Sequence, residues 1–443
     1  MSARALVSAA GLSPTVTLSD PAGGTALTLN GSTGAFTFHG TITDGAAGPG
    51  SLTKSGGVGQ TITGTVSLTG TIRSTEGSLR FVDSTLNLGS SGTLRPDGGS
   101  LRLINSTVNG GVVAGPGTLF LSSNATLNGT RLFSGSSAAI SGLSNFQNVT
   151  AGGAITVNAN GTLNWTDGLL TGAGSLTVSA DYATLNVSGF ESAGVITVGV
   201  NSRIQNSSTP LVLGGGSRTT LNGGTIHLGG QQLQLNGGLL VNNGTVTNGT
   251  TVVNFGGLAR GTGTFSDIVV NEGGRYSPGN SPGTGRTGSA DWAFGGVYEF
   301  ELASAVGVEG VDRDFWDING DLLITSSATA NGRFTVLVNS LAPDDSPGAL
   351  AGWDPTQAYT WRIAGASGGV TGFDPSVLRL DLTGFLAHND AAGGTFSLSS
   401  DGAGVFLNFA PVPVPEASAG LLLAIAGALA AGLSALRRRG RAG

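Results

Sequence analysis

The chain has 443 residues, among them 78 glycines and 15 prolines but no cysteine, and only 10 % of it is charged. Without cysteine there is no disulfide, no thiolate metal site and no cysteine nucleophile. The formal net charge is −6 and Lys54 is the single lysine, a balance that argues against nucleic acid as a partner.

Glycine is far above its usual share, yet no Gly-X-Y period points to collagen. Apolar residues make up 39 % and alternate with Thr, Ser and Asn, so there is material for a core and for a weakly charged surface. The length admits two or three domains. Residues 1–12, with Arg4 ahead of the short apolar run 5–12, read as a truncated signal segment whose true leader would lie upstream.

From 13 to 285 the sequence is a train of short strand-like segments separated by turn signals. Thr15-Val-Thr-Leu18, Ala26-Leu-Thr-Leu29 and Ala154-Ile-Thr-Val157 alternate apolar with small polar residues, the pattern of a strand with one buried face. Between such segments stand Asn30-Gly31, Asn109-Gly110, Asn128-Gly129, Asn160-Gly161, Asn222-Gly223, Asn236-Gly237 and Asn248-Gly249. Asn and Gly tolerate positive φ, so the chain turns sharply there.

Antiparallel hairpins would make a sandwich or barrel of these strands, whereas coiling would make a parallel β-helix. Length favours the β-helix, because a solenoid grows by adding coils without outgrowing its core. Coils of roughly 20–25 residues would give about 11–14 turns rising near 4.8 Å each, a rod on the order of 55–65 Å. Asparagines at the turns could then stack as ladders.

β-Helices can host polysaccharide-degrading enzymes, which need clustered carboxylates on neighbouring coils. Here Asp20, Asp44, Glu76, Asp83, Asp97, Asp167, Asp181 and Glu191 are spread singly. His39, His227 and His388 are too scattered for a metal triad or a base–nucleophile pair. Lone polar positions on a Thr-rich surface are the simpler reading.

The segment 256–284 contains Gly261-Thr-Gly-Thr264, a strand, and then Ser277-Pro-Gly-Asn-Ser-Pro-Gly283. It resembles the autotransporter-type passenger repeat, which implies a β-helix. Pro278 and Pro282 fix φ, and Gly279 and Gly283 permit the turns that close a coil. The stretch between Pro282 and the tail would be too short for the membrane β-barrel that ends an autotransporter.

After 286 larger side chains appear, including Trp292, Trp316, Trp353 and Trp361, and the reading is a smaller β-rich capping domain over 286–409. Its tryptophans could stack on sugars but are better read as core. Glu299 and Glu301 would face one way from one strand, about 7 Å apart. That spacing allows glycoside chemistry, although alternation with Tyr298, Phe300 and Leu302 reads as the wet face of a strand. Asp312, Asp314, Asp317, Asn319 and Asp321 are the best calcium candidates. Asp317-Ile-Asn-Gly-Asp321 opens like a calcium loop, but Gly320 is at the fourth position and Leu322 at the sixth, where glycine is required. Asn319-Gly320 therefore reads as a turn, and neither a metal nor any other cofactor is assigned.

The tail, 410–443, runs from Pro411-Val-Pro-Val-Pro-Glu416 through an uncharged stretch over 417–436 to Arg437-Arg438-Arg439-Gly440-Arg441. Twenty residues of helix span roughly 30 Å, the thickness of a bilayer's hydrocarbon core. The arginines would stay in the cytoplasm, so the body faces outward. This layout resembles the PEP-CTERM sorting signal, with Val414, Pro415 and Glu416 as its motif and Arg437, Arg438, Arg439 and Arg441 as its membrane stop. Ala417 stands where the family's second proline is usual. The resemblance implies processing by an exosortase, an inner-membrane precursor, and delivery to the cell envelope or an extracellular matrix, with exopolysaccharide as a further candidate partner.

The sequence thus predicts an all-β protein: a right-handed parallel β-helix, a β-rich cap and one C-terminal transmembrane helix. Its predicted function is a non-enzymatic structural or adhesive rod. The alternative is a lyase or glycoside hydrolase on the same scaffold.

Overall fold

The computed structural model describes residues 1–9, 11–19, 25–413 and 428–429. The chain winds as a parallel β-solenoid of about 13 turns and lays down three parallel sheets. The first contains Ala26–Leu29, Ser51–Lys54 and Thr71–Ser74, each paired to the next. The second contains Thr15–Leu18 and continues through the later half of Phe36–Asp44 and of Gly59–Ser67. The third contains Ser78–Val82, Ser100–Ile104 and Thr118–Ser122.

Alternation explains each strand. In Thr118–Ser122 the sequence TLFLS buries Leu119 and Leu121 and turns Thr118, Phe120 and Ser122 outward. Parallel register then sets like on like: Leu79, Leu101, Leu119 and Ala138 are successive partners, all buried. Burying each such leucine contributes roughly 1.5–3 kcal/mol, so the core is a stack of aliphatic layers that every added coil extends. Aromatic layers interrupt it. Trp165 packs between Phe146 and Phe190, with ring centroids 5.4 and 4.8 Å away.

Predicted turns recur at the coil corners, with Asn160 at φ 57° and Asn248 at φ 54°. The asparagine ladder forms: the Asn254 amide donates to Asn236 at 2.7 Å, and that of Asn271 to Asn254 at 2.9 Å. Amide partners one coil apart are separated by 17 to 22 residues, and N-terminal register partners by 24 to 26, a spread around the predicted coil.

The break expected at 285 is absent from the sheets. Strand Thr284–Trp292 straddles it and pairs in parallel with Phe315–Ile318 and Asp321–Ile324. Val297–Leu302 pairs in parallel with Phe334–Ser340, which pairs with Leu378–Asp381. Longer connections join these strands, and large aromatic side chains are buried among them. Trp292 and Trp316 are fully buried and Trp361 is 1 % exposed, so these three tryptophans are core and not sugar platforms.

Capping falls to a shorter and later segment than 286–409. Gly404–Ala410 runs antiparallel to Tyr359–Ala366 and to Thr395–Ser400. With the short helix Thr383–Leu386, these strands close a sheet end that would otherwise expose unpaired backbone groups. Among the described residues no helix is long and apolar enough to cross a membrane. The predicted span 417–436 lies outside them except for Ala428 and Leu429.

Lys54 is an exception to the solenoid's sorting of apolar side chains inward and polar ones outward. It ends a first-sheet strand, is 1 % exposed, and its Nζ donates to the Gly56 carbonyl at 2.5 Å. Burial holds its pKa below the usual amine value, partly offset by the Glu76 carboxylate. An amine-reactive ester should therefore leave Lys54 unmodified in the native chain and label it in urea, read by peptide mass. Equal labelling in both states would mean that this corner is open.

Candidate functional site

The predicted sorting residues Val414, Pro415 and Glu416, and the arginines Arg437, Arg438, Arg439 and Arg441, lie outside the described residues. So does Asp20.

The scattered acids of the solenoid are engaged one at a time. Asp44 accepts from the backbone N–H of Gly50 at 2.6 Å and from the Thr69 hydroxyl at 2.6 Å. Asp97 holds Arg95 at 2.8 Å and also Arg73, one coil away. Asp83 accepts from Asn105 at 2.7 Å, and Glu76 from the Gly56 N–H at 3.2 Å. Asp167, Asp181 and Glu191 are exposed. The histidines stay apart: His39 Nδ1 bonds Thr63 at 2.6 Å, His227 Nδ1 bonds Gln205 at 2.8 Å, and His388 is exposed. Among the described residues no group of three or more His, Asp or Glu could hold a metal ion.

The five calcium candidates are not brought together. Asp312 accepts from the Val308 N–H at 2.7 Å, Asp317 faces Arg286 at 3.9 Å, and Asn319 and Gly320 join two strands as predicted. Asp314 points inward. Glu299 and Glu301 do share a strand face, with Glu299 paired to Arg275 at 2.8 Å.

Asp314 fastens the passenger-type loop. Its Oδ1 accepts from the Gly283 N–H at 2.8 Å and its Oδ2 from the Glu301 N–H at 3.0 Å. The loop is pinched: Gly279 has φ 78°, and a Cβ there would meet the Gly283 Cα at 2.4 Å, so only glycine fits. Ser281 is also held at positive φ, 86°, a conformation that L side chains rarely adopt. Proline fixes the two arms, glycine closes them, and a buried carboxylate clamps the end.

Among the described residues no cation forms an ion pair with that carboxylate. Burial pushes the Asp314 pKa well above the usual range, and the neighbouring Glu301 adds to the rise against the pull of the two N–H donors. Burial also raises Glu301, opposed by the Ser281 hydroxyl. The Tyr298 hydroxyl, raised by burial and by Asp314, donates to the Ile363 carbonyl at 2.8 Å. This is a closed structural knot, with Asp314 shut beneath the loop.

The open feature is a polar strip along the outer face of the second sheet, which the sequence reading missed. Register stacks Thr41, Thr65, Thr85, Thr107 and Thr126 in one outward column. Asn145, Asn164 and Asn186 continue it, followed by Gln205 and His227. Two residues further along each strand runs a second column, which includes Thr43, Ser67, Asn87, Asn109 and Asn128. Amides link successive coils: Asn145 donates to Asn124, Asn164 to Asn145 and Asn186 to Asn164, each at 2.8 Å. The available signal was the recurring Thr-x-Thr or Thr-x-Asn pair in successive strands.

No family model matches the chain and no curated protein matches it. Among solved structures it is similar to the crystal structure of a TibC-catalyzed hyper-glycosylated TibA fragment, at 18 % identity. That alignment covers 76 % of this chain and 96 % of the fragment, with a TM-score of 0.23. A likeness at that score carries no argument about architecture or activity.

Proposed function

We propose that the protein is an exported, non-catalytic rod of the cell envelope or extracellular matrix, structural or adhesive in role. The observation that carries this reading is the solenoid itself: a continuous apolar stack inside and long hydroxyl- and amide-bearing columns outside. Its coils wind right-handed, following the general preference of parallel crossover connections. Delivery rests on the tail sequence. An exosortase recognises Val414, Pro415 and Glu416, residues 417–436 span the inner membrane, and Arg437, Arg438, Arg439 and Arg441 remain in the cytoplasm until processing. Exopolysaccharide is the partner that suits such a rod.

The test is the mass of the mature C-terminus, from a host with its exosortase and from one without. The segment 417–441 should be lost only where the exosortase is present, and Pro415→Ala with Glu416→Ala should restore the uncut mass. If surface-located protein keeps the segment in both hosts, the sorting reading fails and a plain anchor remains.

A catalytic alternative rests on Glu299 and Glu301, which share one strand face while Arg275 holds the first of them. Oligosaccharides released from acidic or neutral glycans by the purified chain, and not by Glu301→Gln, would favour a lyase or glycoside hydrolase instead.

A further inference from the structure

We propose that the two-column strip on the second sheet binds an extended, uncharged polysaccharide chain lying along the rod. This rests on the reading of the protein as a matrix or surface rod, and it names the face and the class of ligand.

Three observations converge. First, the strip is long and periodic. From Thr41 to His227 its first column crosses ten successive coils of register partners. Successive side chains rise near 4.8 Å along the rod, and the two columns stand about 7 Å apart across the strands. A β-linked glycan is likewise extended, with a sugar repeat close to the strand spacing, so it can keep contact over many coils.

Second, the chemistry is neutral. Neither column contains a carboxylate, lysine or arginine over these coils, and His227 is the one ionisable group. The other two sheets differ. Arg73, Arg95, Arg131 and Glu191 face outward from the first, and Arg80 and Arg102 from the third. An anionic glycan would be drawn to the arginines, whereas the strip offers only hydrogen bonds. Asn164, in the middle of the ladder, uses one N–H and one oxygen lone pair on its neighbours. It keeps a second N–H and a second lone pair for a ligand. A sugar hydroxyl both donates and accepts, which suits that remainder.

Third, shallow grooves lie on parts of the strip, on either side of Thr85, Thr107 and Thr126. One shallow groove of ≈ 340 Å³ is lined by Asn145, Asn164, Thr166, Asn186 and Ser188, and another of ≈ 340 Å³ by Gln205, Thr225 and His227. A wider cleft of ≈ 640 Å³ at the N-terminal end takes in Thr41 and Thr65. Arg203 and Asp83 stand within these grooves as their charged groups.

The test is sedimentation of the full chain, solubilised in detergent, with cellulose as the neutral extended glycan and with calcium alginate gel beads as the anionic one. The strip variant Thr85→Arg, Thr107→Arg, Thr126→Arg is compared with Thr156→Arg, Thr177→Arg, Thr197→Arg, three stacked outward positions of the third sheet. The wild type should bind cellulose and not alginate. The strip variant should bind cellulose roughly tenfold or more weakly, equivalent to about 1.4 kcal/mol, and the control should bind as wild type. If the arginine series does not fold, Thr85→Val, Thr107→Val, Thr126→Val removes only the hydroxyls and is read the same way. No cellulose binding by the wild type, equal behaviour of strip and control variants, or equal binding to alginate would each overturn the assignment. A correctly processed C-terminus without cellulose binding would sink the strip and leave the rod reading standing.

Discussion

Trp316→Ala is expected to lower the unfolding free energy by about 3–5 kcal/mol, the usual range for truncating a fully buried tryptophan. The indole lies among the aromatic side chains of the C-terminal coils, with ring centroids 4.1 Å from Tyr276, 5.4 Å from Tyr298 and 6.2 Å from Trp292. Its N–H donates to the Thr287 hydroxyl at 3.1 Å. Those neighbours sit on parallel strands hydrogen-bonded above and below, so they have little freedom to collapse into the space left behind. The loss also leaves a buried hydroxyl without that donor. Trp316→Phe, which keeps most of the volume, should recover more than half of the loss. Because a solenoid is held by nearest-neighbour contacts, the damage should concentrate in the C-terminal coils. Urea unfolding followed by fluorescence, together with amide exchange along the chain, would measure both. A shift under about 1 kcal/mol, or exchange rising evenly in every coil, would contradict this view of the core.

The alternation that makes a strand is local, and it was readable. Thr15–Leu18, Ala26–Leu29 and Ala154–Val157 fall where the sequence put them, and the turn at Asn160-Gly161 does too. Pairing is non-local, and there the reading failed. Side-chain size changes after 286, but size does not reveal that Tyr298 pairs with Val336 across a long insertion, so one solenoid was read as two domains. The strip was hidden for a related reason. Each Thr-x-Thr or Thr-x-Asn pair is visible alone, but partners in the strip lie 19 to 24 residues apart, and that variation blurs the register that aligns them. Asp314 is a different failure. It stands two residues before Trp316 at the start of one strand, so period-two alternation puts both on the buried face. Grouping it with Asp312 and Asp317 as a metal ligand let composition outrank geometry. The predicted sorting signal lies outside the described residues but for 410–413, Ala428 and Leu429, so it rests on sequence alone: a motif, a hydrophobic length and a charge cluster.

The buried Asp314 makes a second prediction: over the range where its proton differs between states, the folded protein should lose stability as pH rises. Its carboxyl is raised in the folded chain, first by burial and then by the charge of Glu301. The unfolded carboxyl titrates near its ordinary value of about 4. Below that pH both states hold the proton and Asp314 imposes no penalty. Above it the unfolded state releases the proton first, so it is favoured increasingly until the folded group also titrates. Within that window one group contributes a slope approaching about 1.4 kcal/mol per pH unit, and Glu301, also raised by burial, acts in the same direction. Asp344, Asp354 and Asp374 act oppositely, because local hydrogen bonds lower them. Whatever stability they lend is lost as pH falls through the lower carboxylate range. Asp314→Asn separates the slope from the contacts. The amide sets its NH₂ against one of the two backbone N–H donors from Gly283 and Glu301, a pH-independent cost of about 1–3 kcal/mol. It also removes the titrating group, so the variant should start less stable in acid and decline more gently toward neutral pH. Urea midpoints measured across that range for both proteins decide it. Parallel curves, or wild-type stability that climbs from mild acid to neutral, would show that the knot beneath the Ser277–Gly283 loop does not carry the proton assigned to it.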